Sequence, residues 1–431
     1  MSRSVRYPIP GSIPSAEYQT GKLDFSVAPF IKNIYNSPFP SSKKRDEPPT
    51  GKIDFRNVKK YTVAEIAPLN IPLGHNGYSA IETILTNIAE ELHAIPNYLF
   101  NPIVLCPQGS SIANAHQTVK PIGKIKDVHD RKQHEEDYDR HFRTLEEISN
   151  IDIIHNHTGE FAEWVAKNTT RVKAPIVHTV HVSYEKEQLD TIRHQNSFYV
   201  AISKAHKRDL EKTGLSVSKI IYNGIRLEDC IYEEKKEDFM LAIGRITQDK
   251  GFDHAIAAAQ KAGKKLVIAG PVQDKEKDRV YFENKIQPHI QQYIPFEEDP
   301  HKGLSEIIQS KKNIIYLGEI GRSKYQLFSK AQAMLFPIQW EEPFGMVMVE
   351  SMASGTPVIA YNRASVPEIV KNKVSGFIVD NNVEALASAL QKVHYLTPAD
   401  CRARAQYFSS KRMAADYADF FQEILDSKSK K

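Results

Sequence analysis

Ala333-Met334-Leu335-Phe336-Pro337-Ile338-Gln339-Trp340-Glu341-Glu342-Pro343-Phe344-Gly345-Met346-Val347-Met348-Val349-Glu350-Ser351-Met352-Ala353-Ser354-Gly355-Thr356-Pro357-Val358-Ile359-Ala360 decides the fold of this chain. Met334 to Ile338 is an apolar run of strand length. A polar loop follows, and the pattern predicts a helix beginning near Gly345. Gly355 and Pro357 stop that helix, and Val358-Ile359-Ala360 opens the next strand. The unit is β–α–β. Its loop therefore lies at the carboxyl end of a parallel strand, where open α/β sheets bind ligands.

That position has chemical content. Backbone N–H groups at a helix start are unpaired and favour an anion. Gly345 lets the backbone approach a ligand without a Cβ in the way. Glu342 precedes the helix and Glu350 lies inside it. Two carboxylates beside such a helix end suit a ligand that carries both phosphate and hydroxyls, at roughly 1.5–3 kcal/mol per charged hydrogen bond. By spacing alone, the same residues also fit an ordinary acidic helix start on a surface loop.

A second junction of this kind is Gly244-Arg245-Ile246-Thr247-Gln248-Asp249-Lys250-Gly251. It follows the apolar run Phe239 to Ile243 and precedes a helix over Phe252–Ala262 that Gly263 ends. Arg245 offers phosphate a planar fork and Lys250 a mobile point charge. The loop lacks the Gly-Lys-Ser/Thr ending of a P-loop. The chain also holds no Gly-x-Ser-x-Gly, His-Glu-x-x-His or Gly-x-Gly-x-x-Gly motif, so hydrolase-elbow, zincin and dinucleotide readings have no local support.

Glu342-Pro343-Phe344-Gly345 with Glu350 eight positions on, then Ala353-Ser354-Gly355-Thr356-Pro357-Val358-Ile359-Ala360, Val366-Pro367-Glu368-Ile369-Val370 and Ser375-Gly376-Phe377-Ile378-Val379, resembles the family 4 retaining glycosyltransferases of the GT-B fold. The likeness runs from about residue 60 to 425. It implies two Rossmann-like α/β domains facing across a cleft, with a C-terminal helix crossing back to the first. It implies a hexosyl transfer from a nucleotide-diphosphate sugar (UDP-linked, or GDP-linked such as GDP-mannose) with retained configuration and no required cofactor. Arg245 and Lys250 would hold the diphosphate, Glu350 the ribose and Glu342 the sugar. Gly244, Phe344 and the N–H groups of Gly345, Met346 and Val347 would complete the donor site, with the base near Glu319-Ile320. The Thr179-Val180-His181 motif would set His181 near the anomeric centre, although Val182 stands where the family usually has Asp. Tyr78-Ser79-Ala80-Ile81-Glu82 departs from the family's Tyr-Gly-Gly-Ile-Glu, with Gly77 just upstream. Gly77, Ser79 and His155 fall on the acceptor or cleft side. The acceptor stays open among lipid, polysaccharide, protein and small molecule. A sugar-nucleotide epimerase and a non-catalytic sensor or scaffold are the alternative readings.

The remaining sequence fits this outline. Of 431 residues, 41% are hydrophobic and 26% charged, which suits a globular chain of two or three domains. A net charge of +4 gives no ground for nucleic-acid binding. Cys106, Cys230 and Cys401 are too few and too scattered for a disulfide framework, which points to a reducing, cytoplasmic setting. The sequence shows no secretory leader and no span of ~18 apolar residues, which leaves peripheral contact with a membrane surface open. Residues 1–57 are Pro-rich and read as an irregular arm. Residues 58–228 read as the first α/β domain, 229–408 as the second, and 409–431 as a crossing helix with a basic tail. Ser409 or Ser410 caps that helix, and Met413, Tyr417, Phe420, Phe421 and Leu425 form its apolar stripe. His155-Asn156-His157 places two imidazoles on one strand face. No third ligand stands near them in sequence, so no metal is expected. His129, His134 and His141 belong to a charged, solvated segment.

Overall fold

The computed structural model describes residues 60–69, 71–74, 79–95, 100–112, 119–123, 131–148, 150–159, 162–164, 173–182, 186 and 196–429. The 1–57 arm, Gly77, Tyr78 and His129 lie outside these residues, as do the side chains of His134 and His141.

Continuous apolar runs alternating with helices require parallel strands buried on both faces, and the described chain builds two such sheets. The first contains β1 (Tyr61–Ile66), β2 (Phe100–Pro107), β3 (Val119–Gly123), β4 (Ile151–Asn156), β5 (Ile176–Val180), β6 (Ser197–Ala201) and β7 (Lys219–Ile220). Their spatial order is β3-β2-β1-β4-β5-β6-β7. The second contains β8 (Met240–Ile243), β9 (Leu266–Ala269), β10 (Gln292–Tyr293), β11 (Ile314–Tyr316), β12 (Ala333–Phe336), β13 (Val358–Tyr361) and β14 (Gly376–Val379). Their order is β10-β11-β9-β8-β12-β13-β14. Each order reverses once, between β1 and β4 in the first sheet and between β8 and β12 in the second. At such a reversal the crossover helices leave toward opposite faces and a crevice opens at the strand ends. Glu342 and Lys250 occupy the two loops at the second reversal.

Both faces of the second sheet carry core. Along β8, Leu241 and Ile243 pack with Val267, Met334 and Phe336 on one side. Met240 and Ala242 pack with Ile256, Leu266 and Leu335 on the other. This is the period of two that a strand imposes. The helix α1 (Ala80–Ala94) covers the first sheet beside the C-terminal helix α2 (Ser410–Ser429). Met413, Tyr417, Phe420, Phe421 and Ile424 of α2 pack on Val63, Ile84, Ile88, Ile153, Val177 and Val200. The C-terminal helix thus crosses back to the first domain. Its cap is Ser409, whose Oγ accepts from the N–H of Arg412 at 3.3 Å. Ser410 instead donates its hydroxyl to Glu91 at 2.7 Å. Among the described residues no helix is long and apolar enough to cross a membrane.

Two connections join the halves, and they lie side by side. Ile225 N–H donates to Phe408 O at 2.9 Å, and Ser410 N–H donates to Ile225 O at 2.8 Å. A Cβ on Gly224 would stand 2.5 Å from Ser409 O and 2.9 Å from the Met413 Cβ. Only glycine lets the two connections touch. A further clasp forms where the helix Lys204–Lys212 of the first half begins. Glu368, from the second half, accepts from the backbone N–H of Lys204 at 2.8 Å and of Ala205 at 2.6 Å, and from the Tyr222 hydroxyl at 2.8 Å. A carboxylate at a helix N-terminus is favoured by the unpaired N–H groups there.

Gly224→Ala should cost about 1–3 kcal/mol of stability through overpacking, read as a lower denaturant midpoint. An unchanged midpoint would mean that the connections separate freely. Glu368→Gln keeps the shape but removes the charge, and should cost about 1–2 kcal/mol. Equal stability of the two proteins in low salt would rule out the clasp.

Candidate active site

The loop after β8 is shaped by close backbone contacts. A Cβ on Gly270, at the end of β9, would lie 1.8 Å from Gly244 O. Gly251 has φ +69°, and a Cβ there would lie 2.1 Å from Pro337 O. The loops after β8 and β12 therefore pack backbone to backbone, and Gln339 N–H donates to Asp249 O at 2.8 Å.

This contact sets Lys250 against Glu342. Lys250 Nζ lies 2.5 Å from Glu342 Oε2, with the two side chains 17% and 13% exposed. Trp340 Nε1–H donates to the same oxygen at 3.1 Å. Lys250 Nζ also stands 5.1 Å from the centre of the Trp340 ring, within cation–π range. Arg245 is exposed and makes no ion pair with any described residue. It is an exposed cation on a loop whose other cation is held.

Glu350 is buried and paired elsewhere. Its Oε1 accepts from Lys324 Nζ at 2.7 Å and from the Tyr325 hydroxyl at 3.3 Å. Burial, reinforced by the Glu350 charge, pushes the Tyr325 hydroxyl far above its usual range. The helix Met346–Ala353 starts at Gly345, which has φ +83°, and no side chain caps its N-terminus. Ser365 Oγ–H donates to Phe344 O at 2.8 Å, and Ser203 Oγ–H, from the first half, donates to Pro343 O at 2.6 Å. These two hydroxyls hold the carbonyls of the loop, so its N–H groups keep a fixed direction. Ile320 is fully buried in the core and Glu319 is exposed.

Lys324, Trp340, Ser203 and Ser365 were not legible as site residues. Lys324 starts a seven-residue helix with no phosphate-like motif. The two serines act through single hydroxyls contributed by distant loops.

In the first half, His181 is half-buried at the end of β5. Its Nε2 lies 3.0 Å from His157 Nδ1, and the rings stack at 22°. Burial holds His155, His157 and His181 down to about 3, so all three rings are neutral near pH 7. Ser79 precedes α1 and donates its hydroxyl to Glu82. Two sequence expectations change here. His155 is fully enclosed and cannot line the cleft, because α2 covers it: the Tyr417 and Phe421 rings stand 4.7 and 5.3 Å from its own. A third potential ligand does exist beside His155 and His157. Glu65 of β1 lies 2.9 Å from His155 Nδ1 and 3.4 Å from His157 Nε2. It is 90 residues away in sequence and was invisible to spacing.

Comparison with known proteins agrees with this architecture. The family model for glycosyl transferases group 1 matches residues 231–407, and that for Glycosyltransferase Family 4 matches 81–229. An uncharacterised glycosyltransferase of Methanocaldococcus jannaschii is 24% identical over 57% of this chain and 67% of its own length. The alpha-monoglucosyldiacylglycerol synthase of Streptococcus pneumoniae is 23% identical over 58% of this chain and 60% of its own length. The chain thus spans about two thirds or less of the curated relatives it matches. Sucrose-phosphate synthase from Thermosynechococcus elongatus superposes with a TM-score of 0.65 at 17% identity, covering 85% of this chain and 100% of that one. HepE from Anabaena, in complex with UDP and glucose, superposes at 0.62 with 16% identity, covering 84% and 100%. Two consecutive family matches, on two parallel sheets of the GT-B arrangement, place this chain in family 4 of the group 1 glycosyltransferases.

Proposed function

We propose that this chain is a retaining glycosyltransferase that moves a hexosyl group from a nucleotide-diphosphate sugar to an acceptor. The contact between Lys250 and Glu342, with Arg245 open beside it, carries the proposal. In the free protein the two charges satisfy each other. A donor that brings a diphosphate and sugar hydroxyls offers a better partner to each. Lys250 turns to phosphate, and Glu342 accepts from sugar hydroxyls while keeping the Trp340 N–H. Lys324 holds Glu350 in place, so its carboxylate is set to accept from the ribose.

As the glycosidic bond breaks, negative charge gathers on the leaving diphosphate. Arg245, Lys250 and the uncapped helix start at Gly345, Met346 and Val347 meet that charge with dipoles oriented before the reaction begins. Neutral His181 presents an uncharged imidazole from the opposite domain, which suits a position near the anomeric carbon. Glu342 and Glu350 are read as acceptors from hydroxyls and not as nucleophiles, so the reading is attack by the acceptor on the leaving-group side. UDP in a structural neighbour supports a uridine donor, and a guanosine donor meets the same phosphate and ribose contacts. The acceptor is read as a hydroxyl compound docked on the first domain.

Arg245→Ala should lower turnover roughly 10²–10³-fold in a folded protein, the usual effect of losing one preorganised charge-stabilising group. Full turnover in that variant would remove the diphosphate assignment. Glu342→Ala should reduce transfer by about tenfold or more while leaving nucleoside-diphosphate affinity within about threefold, because Lys250 stays available to phosphate. Calorimetric binding of UDP and GDP, set beside transfer assayed with labelled nucleotide sugars, measures both. Equal loss of binding and transfer would contradict the roles given to Lys250 and Glu342. Donor interconversion without an acceptor would mark an epimerase, and binding without turnover a sensor.

A further inference from the structure

We propose that Glu65, His155 and His157 form a buried binding site for one zinc ion in the floor of the first domain. Strand pairing explains why these residues meet. Glu65 on β1 is the register partner of His155 on β4, so their side chains rise from the same face. His157, two residues further on, rises on that face again.

The donor atoms have the spacing of a coordination sphere. His155 Nδ1 and His157 Nε2 lie 2.9 and 3.4 Å from Glu65 Oε2, and all three atoms lie within 4.8 Å of one another. An ion about 2.0–2.2 Å from each of two donors spans at most about 4.4 Å, which both carboxylate–imidazole separations satisfy. The atoms also lack other employment. Both Glu65 oxygens, His155 Nδ1 and His157 Nε2 are buried, and among the described atoms their polar neighbours are one another. A carboxylate enclosed this completely is paired, protonated or bound to metal.

The far nitrogens are occupied as metal-bound imidazoles require. His155 Nε2 lies 2.8 Å from Thr179 Oγ1, which in turn lies 2.7 Å from the Tyr417 hydroxyl on α2. His157 Nδ1 lies 3.0 Å from His181 Nε2. Two imidazoles and one carboxylate, without thiolate, suit zinc and exclude the all-oxygen shells of calcium and magnesium. The complete burial of the three side chains makes the site structural, tying β1 to β4 and, through Thr179 and Tyr417, to the crossing helix. It also sets a proton. With Nε2 on the ion, His157 carries hydrogen on Nδ1 and donates it to His181 Nε2. His181 then holds its own proton on Nδ1.

The test is metal analysis of the untagged full chain grown with zinc and exhaustively desalted. About one equivalent per chain is expected. The double variant His155→Ala/His157→Ala should fall below about a tenth of an equivalent, while His289→Ala, an exposed control, keeps the metal. Refolding the wild-type chain in cobalt(II) supplies a reading that needs no variant. It should give the visible bands of cobalt held by nitrogen and oxygen donors, without a thiolate charge-transfer band. Wild-type protein with less than a tenth of an equivalent and no cobalt bands would overturn the proposal. So would a thiolate band, or metal that persists in a folded double variant.

Discussion

A parallel strand cannot return to its neighbour through a short turn, so each strand here is followed by a crossover and every strand end points to the same edge. That constraint decides where chemistry can happen in this molecule. Both sheets reverse their order once, and the loops beside each reversal are the ones free to diverge around a ligand. In the second sheet these loops carry Arg245, Lys250, Glu342 and the glycine at the start of a helix. In the first sheet the corresponding strands carry Glu65, His155 and His157. One topological rule, applied twice, assembles both clusters.

The loops of the second sheet are held by glycines more than by side chains. Gly270 and Gly251 admit carbonyl oxygens where a Cβ would collide, and this brings the Asp249 carbonyl to the Gln339 N–H. The Lys250–Glu342 pair follows from that backbone contact. Trp340 then fixes the carboxylate from a second direction. An ion pair this enclosed contributes little net stability, because taking both charges out of water offsets much of their attraction. On the proposed reading, its value lies in placing two opposite charges where an incoming diphosphate sugar can separate them.

The two halves meet through apolar packing of Ile202, Tyr222 and Ile225 with Phe344 and Phe408, and through polar contacts that fix direction. Ile225 and Ser409 run beside each other as a short bridge, Glu368 sits on a helix start of the other half, and Ser203 holds the Pro343 carbonyl. Each is a directional polar contact to backbone. Such contacts set the relative position of the loops facing the crevice. The C-terminal helix adds an apolar seam over the first sheet and covers His155, which removes that histidine from the surface and leaves His181 as the histidine nearer solvent.

Much of this was written in local sequence. The apolar runs at 239–243 and 333–338, the glycine stops at 263 and 355, and the stripe from Met413 to Leu425 each reflect a periodicity that one element imposes by itself. So did the two strand–loop–helix junctions, since cations and carboxylates there follow from neighbours in the chain. The partners were not legible. Lys324 for Glu350 and Glu65 for the paired histidines are set by strand register and crossover length, which bring together residues that no local pattern connects. Burial was hidden for the same reason. Whether His155 faces a ligand or a helix depends on where residues 410–429 come to rest, and only the folded chain decides that.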